Sequence, residues 1–498
     1  MPYKKDKLIY FGGILLIFVT GLLIRLYDIT DAPLDFHPTR QLHSALMSRG
    51  MYYALGGGVD DPAWQKDIAI HQWKLEGVVE PPILECLVAF VYRMVGSVQL
   101  WVPRLFAIFF WMLAALGMLL VARKLFGNYG TLVAVVFFLF YPYAVVASRS
   151  FQPETLLVAL LVFSAWSALQ WHSKKSWKWA VVAGILAGMA VLIKAVAIFF
   201  LAGMWLSLIL SVNPLKKILN NPQVWLIAVL SIFPYLCFLL YARLAVSGYE
   251  GQFNLRFFPQ LWTQVGFYLR WLQTLRQAVG LEWLIMGLFG VWLIEEPHIR
   301  WMWVGLWFGY LLLGFTLSYH ISTHDYYHLP TYLMISVGLG SLVNRLIRSV
   351  KNIPLTDVLL ILSLSFISIV YIIDVRTALK RNDYSEEVTF WQELGSRLGQ
   401  QVRVVALSQD YGYRLAYWGW ISPLNWMSSD DINIRLAAGQ KFDFDDYFDS
   451  LTQNKDYFLI TDQEQLIQQP LLQQKLATGY SLIEKTDRYL LYDLRKTK

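Results

Sequence analysis

Apolar residues come in long blocks over the first three quarters of this chain, and polar residues are confined to the breaks between them. A helix of about 20 mostly apolar residues crosses a bilayer. The blocks near 8–26, 103–122, 129–147, 154–171, 178–193, 195–211, 224–243, 281–294, 301–318, 329–346 and 355–374 therefore predict about eleven transmembrane helices. The block from Ile83 to Val95 is too short to cross comfortably and carries Glu85 and Arg93, so it predicts a helix lying in the outer interface. After Asp374 the pattern changes. Residues 402–407, 457–461 and 489–492 read as short strands, and 385–398 and 464–476 have helical spacing. The predicted fold class is an α-helical polytopic membrane protein with a small α/β domain outside the membrane. Its boundaries are 1–375 for the membrane domain, with 27–101 as a first outer loop holding interfacial helices, and 376–498 for the outer domain.

Lysine and arginine set the orientation, because they concentrate in cytoplasmic loops. Lys4, Lys5 and Lys7 place the N-terminus inside, and Arg123-Lys124, Lys174-Lys175-Lys178, Lys216-Lys217 and Arg345, Arg348 and Lys351 then all fall inside as well. Counting 83–95 as a span would turn those clusters outward. Eleven spans leave the C-terminal domain on the periplasmic or extracellular side of the plasma (inner) membrane. Leu8 to Leu26 is too long for a cleaved signal and reads as an anchor. A second outer loop, 246–280, is basic and aromatic, and a third, 320–328, is short and polar.

Composition fits this picture. The chain is 56% hydrophobic and 15% charged, against about 25% charged in soluble domains. Its net charge of +7 is explained by residues flanking the spans, so no nucleic-acid partner is implied. Cys86 and Cys237 are the only cysteines, which excludes a disulfide framework and a cysteine-based zinc site. The sequence has no dinucleotide fingerprint, P-loop or zinc motif.

The candidate chemistry begins just after the first span, where Asp35, His37 and Arg40 fall within six residues. Ionisable groups at a membrane edge are costly and are read as functional by default; the competing reading is a solvated loop. Further along stand Glu80-Pro81-Pro82-Ile83 and Arg104-Leu105-Phe106, the latter opening a span that closes on Arg123-Lys124-Leu125-Phe126-Gly127. Ser148-Arg149 with Glu154, Gly184 to Gly188 leading into Leu192-Ile193-Lys194, and His324-Asp325-Tyr326-Tyr327-His328-Leu329-Pro330 complete the series. These six features, in this order over roughly the first 350 residues, resemble the GT-C superfamily of membrane glycosyltransferases. The resemblance is to the branch containing protein O-mannosyltransferases and the aminoarabinose transferase of lipid A.

The resemblance implies an inverting enzyme that moves a sugar from a polyprenyl-phosphate carrier, such as undecaprenyl phosphate, to an acceptor on the outer face. Elementary chemistry agrees. An acceptor hydroxyl needs a general base, and a departing lipid phosphate needs cations. Asp35 is the candidate base. Aligning Arg40 with the family's arginine puts His37 on the usual acid position, so His37 is an alternative base or a partner that polarises Asp35. Glu80 stands where the aminoarabinose transferase has lysine, which removes one expected phosphate contact and counts against lipid A as acceptor.

Arg40, Glu80, Arg149, Glu154, Lys194, Arg256, Arg270, His324, Asp325, Tyr327 and His328 are candidate donor-phosphate or substrate contacts. Each has a structural reading beside it. Lys194 could snorkel to the interface, and Arg149 could pair with Glu154. Arg256 and Arg270 could simply meet lipid headgroups, and His324, Asp325 and His328 could form a hydrogen-bonded loop or a metal site. No metal site is assigned, no cofactor is implied, and the resemblance favours independence from divalent cations. The acceptor is left open among lipid, glycan and protein. A lipid-sugar flippase and a non-catalytic scaffold of envelope polysaccharide assembly are the alternative functions.

Overall fold

The computed structural model describes residues 2–78, 80–212, 214–245, 257–350, 355–381 and 383–497. Among the described residues the chain is mostly helical, with one small sheet near its C-terminus, in agreement with the predicted class. It divides into two compact units. The first comprises 1–29, 78–83 and 103–382, and the second 30–77, 84–102 and 383–498.

In chain order the helices up to residue 381 are α1 (Pro2–Leu26), α2 (Pro38–Ala54), α3 (Ala63–Leu75), α4 (Ile83–Val95), α5 (Trp101–Leu125) and α6 (Asn128–Phe140). Next come α7 (Pro142–Ala147), α8 (Glu154–Lys174), α9 (Trp177–Ile193), α10 (Ala197–Val212), α11 (Leu215–Leu219) and α12 (Pro222–Ala245). The series ends with α13 (Val265–Val279), α14 (Leu281–Trp292), α15 (Pro297–Thr316), α16 (Ser318–Thr323), α17 (Thr331–Ser349) and α18 (Thr356–Arg381).

Among the described residues four helices are long and apolar enough to cross a membrane. They are α5, α8, α12 and the helix that begins at Thr356, with shorter apolar helices at 10–26, α6, α9, α10 and α14. Some predicted spans are shorter as helices for identifiable reasons. The apolar block 129–147 breaks at Tyr141, where Pro142 lacks the N–H that would continue α6 and instead starts α7.

Helix pairs in the first unit approach closely through small residues. A Cβ added at Gly203 of α10 would sit 2.1 Å from the Gly305 carbonyl oxygen of α15, and one at Gly188 of α9 would sit 2.2 Å from the Leu230 carbonyl oxygen of α12. Such contacts are how apolar helices associate when burial from water cannot drive them. α18 is different, since only Val375 and Leu379 are buried on it while Leu362, Phe366 and Ile373 lie bare. A long apolar helix exposed in this way suits lipid rather than water.

In the second unit α2 buries Leu42, Ala45, Leu46 and Met47 and packs on α3. The C-terminal part begins with α19 (Ser385–Leu398), as the helical spacing predicted. It continues with β1 (Val404–Leu407), α20 (Tyr413–Trp418), β2 (Leu424–Asn425), α21 (Ser429–Ala437), α22 (Phe444–Thr452) and β3 (Tyr457–Ile460). The last elements are α23 (Gln463–Ile467), α24 (Pro470–Gly479), β4 (Tyr480–Lys485) and β5 (Leu490–Thr497). The sheet order is β2-β1-β3-β5-β4. β1 pairs in parallel with β2 and β3, with Val404 opposite Tyr457, while β5 runs antiparallel to β3 and β4. Val405, Leu407, Trp426, Phe448, Phe458 and Ile460 form its core.

Two expectations are corrected. The helix expected over 464–476 is two helices, because Pro470 starts a new one. Strands β2 and β4 have no counterpart in the sequence reading.

Candidate functional site

Two sets of candidate residues are built by different local rules, one in each unit. In the second unit the segment carrying Asp35 is held as a tight turn before α2. Gln41, itself buried, donates from Nε2 to the carbonyls of Phe36 (2.6 Å) and Pro33 (3.3 Å). His37 takes the left-handed conformation (φ 44°, ψ 64°) directly before Pro38 opens the helix, and its ring stands edge-on to Phe36. The Thr39 hydroxyl donates to Asp410 at 2.9 Å. Asp35 is half-buried in this turn, and Arg40 acts electrostatically on Tyr413.

The same unit holds an acid that the sequence reading passed over. Glu76, at the end of α3, accepts a hydrogen bond from the Tyr413 hydroxyl at 2.9 Å, with His43 Nε2 at 3.3 Å. Burial pushes its carboxyl up to about 7, against the lowering effect of the Tyr413 bond. No local signal marked it, because its hydrogen-bond partner lies 337 residues away.

In the first unit, Glu154 opens α8, where a carboxylate favours the helix dipole, and Lys194 follows α9 in extended backbone (φ −154°, ψ 115°). Lys194 is 4% exposed and Glu154 2%, and their side chains form an ion pair. Lys194 therefore does not snorkel. The rings of Tyr327 and Tyr326 lie 4.7 and 4.9 Å from its Nζ, close enough for cation–π attraction. Glu80 also acts on Lys194 electrostatically, and Asp325 interacts with Tyr143. The unit thus brings Glu80, Glu154, Lys194 and Tyr327 together. The carboxylate Oε2 of Glu154 is buried with no hydrogen-bond partner among the described residues.

Arg149 is buried and donates to the carbonyl of Asp28 at 2.7 Å, and Arg104 approaches the same carbonyl at 3.3 Å. Nearby in the fold, buried Arg25 donates to Ser148 Oγ (2.7 Å) and to the carbonyls of Gly21 and Leu139. Arg25 was missed, although a guanidinium inside the apolar block 8–26 was itself a signal.

Of the other predicted residues, His324 adjoins the Lys194 set, its ring edge-on to Tyr326 at 5.5 Å and to Tyr327 at 6.3 Å. His328 is buried between the Tyr310 hydroxyl and Thr274 Oγ1, each at 2.9 Å, and burial lowers its pKa to about 3, so its imidazole is neutral. His324 stacks on His320 at 5.3 Å and meets the Thr323 hydroxyl. Arg270 is exposed on α13. Arg256 lies outside the described residues. Among the described residues no group of three or more His, Cys, Asp or Glu side chains could hold a metal ion.

Residues 79–241 match the family model for dolichyl-phosphate-mannose-protein mannosyltransferase. No curated protein matches the chain. The fold matches that of ArnT from Cupriavidus metallidurans, solved bound to undecaprenyl phosphate. That match has a TM-score of 0.62 at 13% identity and covers 97% of this chain and 98% of that one. It also matches the oligosaccharyltransferase of Archaeoglobus fulgidus, solved with zinc and sulfate, with a TM-score of 0.53 at 11% identity over 96% of this chain and 73% of that one. The same archaeal enzyme, solved with an inhibitory peptide and a dolichol-phosphate, gives a TM-score of 0.51 at 12% identity. These matches bear out the resemblance to GT-C membrane glycosyltransferases that the sequence motifs carry.

Proposed function

We propose that this protein is an inverting glycosyltransferase that moves a sugar from a polyprenyl-phosphate-linked donor to an acceptor hydroxyl on the outer face of the plasma membrane. The observation that carries the reading is the buried Lys194–Glu154 pair, flanked by Tyr326 and Tyr327. It occurs in a chain whose fold matches an enzyme solved bound to undecaprenyl phosphate. A buried ion pair is a poor stabiliser compared with apolar packing, so its presence in an apolar helical unit points to use.

In this reading Asp35 takes the proton from the acceptor hydroxyl, with His37 orienting it. The hydroxyl oxygen bonds to the anomeric carbon from the side opposite the phosphate. The carbon–oxygen bond to phosphate breaks, and the bonding electrons leave on the polyprenyl phosphate. Lys194 and Arg149 are the cations for that developing charge, and Arg40 is a substrate contact. Glu154 and Glu80 hold Lys194, and Tyr327 faces it. His328 keeps the loop 320–328 in place rather than titrating, and His324 and Asp325 serve as loop contacts. Arg256 and Arg270 fit lipid headgroups. The wider picture of eleven spans, a cytoplasmic N-terminus and an outer domain over 376–498 belongs to the same proposal.

The test is transfer of label from radiolabelled polyprenyl-phosphate sugars to a membrane extract by purified protein, wild type against Asp35→Asn. Transfer by the wild type alone is expected, with donor still bound by the variant. Full activity of Asp35→Asn would remove Asp35 as base. Donor binding without transfer by the wild type would favour a flippase or scaffold.

A further inference from the structure

We infer that the small sheet of the second unit carries a saccharide-binding crevice at the carboxyl ends of β1 and β3. In open sheets with parallel strands, ligands bind outside the carboxyl ends where neighbouring strands send their connections in opposite directions. β1 and β3 are adjacent and parallel; β1 connects through α20 to β2 on one side, and β3 connects through α23 and α24 to β4 on the other. A crevice of about 590 Å³ lies where the two connections diverge.

Its floor is fixed by the strand ends themselves. Gln409, after β1, donates from Nε2 to the carbonyl of Thr461, after β3, at 2.9 Å, and Thr461 Oγ1 donates back to Gln409 Oε1 at 2.7 Å. One wall is a charge chain. Glu387 of α19 pairs with both Arg414 and Arg488, Arg414 also meets Asp410 at 2.5 Å, and the Arg488 guanidinium lies 3.7 Å over the Phe390 ring. The lining also includes Asp462, Gln463 and Glu464, with Asp487 beside Arg488.

These groups select the ligand class. Four lining carboxylates (Glu387, Asp462, Glu464, Asp487) outnumber two guanidinium groups (Arg414, Arg488), and both guanidinium groups are already paired. An anion such as phosphate would meet excess negative charge and no uncommitted cation in this wall. A metal ion is disfavoured by the absence, among the described residues, of any three-ligand group. What remains well matched is a neutral, hydroxyl-rich molecule. Its hydroxyls donate to the carboxylates and accept from the second N–H of the Gln463 amide, whose first donates to the Asp487 carbonyl at 3.1 Å. A short neutral glycan is such a molecule.

The test is binding of chitobiose, cellobiose and mannobiose to the full-length protein in nanodiscs, read by saturation-transfer difference NMR. Glu464 and Asp487 are exposed, so Glu464→Ala/Asp487→Ala keeps the fold; Gln463→Trp fills the crevice. Millimolar binding of at least one disaccharide by the wild type is expected, with affinity down about tenfold or more in the double variant and lost in Gln463→Trp. The inference is overturned if no disaccharide binds the wild type, if both variants bind equally well, or if inorganic phosphate displaces the sugar. Binding is read without a transfer reaction, so this outcome is separate from that of the transfer assay.

Discussion

Two clusters of charge in this protein, one in each unit, are held in opposite ways. In the first, Arg25, Arg104, Arg149, Glu154 and Lys194 are all nearly inaccessible, placed at helix ends and tied to carbonyls or to each other. In the second, Glu387, Arg414 and Arg488 form a chain that stays partly open, with side chains 28%, 18% and 42% exposed. Solvent-exposed pairs form cheaply and are worth little. Charges buried in an apolar helical unit cost several kcal/mol each before pairing, so they persist where something requires them. The contrast separates charge that decorates a fold from charge that a fold is built to hold.

Removing one partner of the buried pair breaks the contrast most severely. Lys194→Met leaves Glu154 alone in an apolar setting, and a loss of about 3–5 kcal/mol is expected, together with loss of transfer. Thermal unfolding in detergent checks the first and the transfer assay the second. The double variant Lys194→Met/Glu154→Leu sharpens the result. Stability returns close to wild type because an apolar pair replaces an ionic one, while transfer stays absent. Recovery of both would make the pair purely structural.

His328 gives an intermediate effect with a defined sign. Its folded pKa of about 3 lies below the unfolded value of about 6.5. The unfolded chain therefore binds the extra proton first as pH falls. The stability contributed by neutral His328 is full above about 6.5 and is lost progressively as pH drops toward 3. Unfolding midpoints between pH 7 and 4 should fall steeply in the wild type and less so in His328→Gln. Identical slopes would contradict the buried, neutral assignment.

The smallest effect belongs to the open chain of charges. Glu387→Gln breaks pairs with both Arg414 and Arg488, yet a change of about 1 kcal/mol or less is expected, decreasing further with added salt. A loss as large as that of Lys194→Met would erase the distinction between the two clusters.

Legibility in the sequence followed the same physics. Helices α4 and α19 were readable because each carries an uninterrupted helical pattern, and β1 and β3 because they are short apolar runs between polar breaks. β2 has two residues, and β4 is an exposed edge with a bulge, so neither presents an apolar run to read. The motif order placed Lys194 and Glu154 among the candidates. Sequence adjacency, however, suggested Arg149 as the partner of Glu154. The observed partner lies 40 residues on, brought in by the packing of α8, α9 and α10. Glu76 could not be singled out at all, since its raised carboxyl comes from burial, and only the folded chain buries it and brings Tyr413 to it.

The most direct test of the account is native mass spectrometry of the purified protein with undecaprenyl phosphate, wild type against Lys194→Met/Glu154→Leu. Retention of the lipid by the wild type and its loss from the folded double variant is the predicted result. Equal retention by both would show that the buried pair does not serve the lipid phosphate.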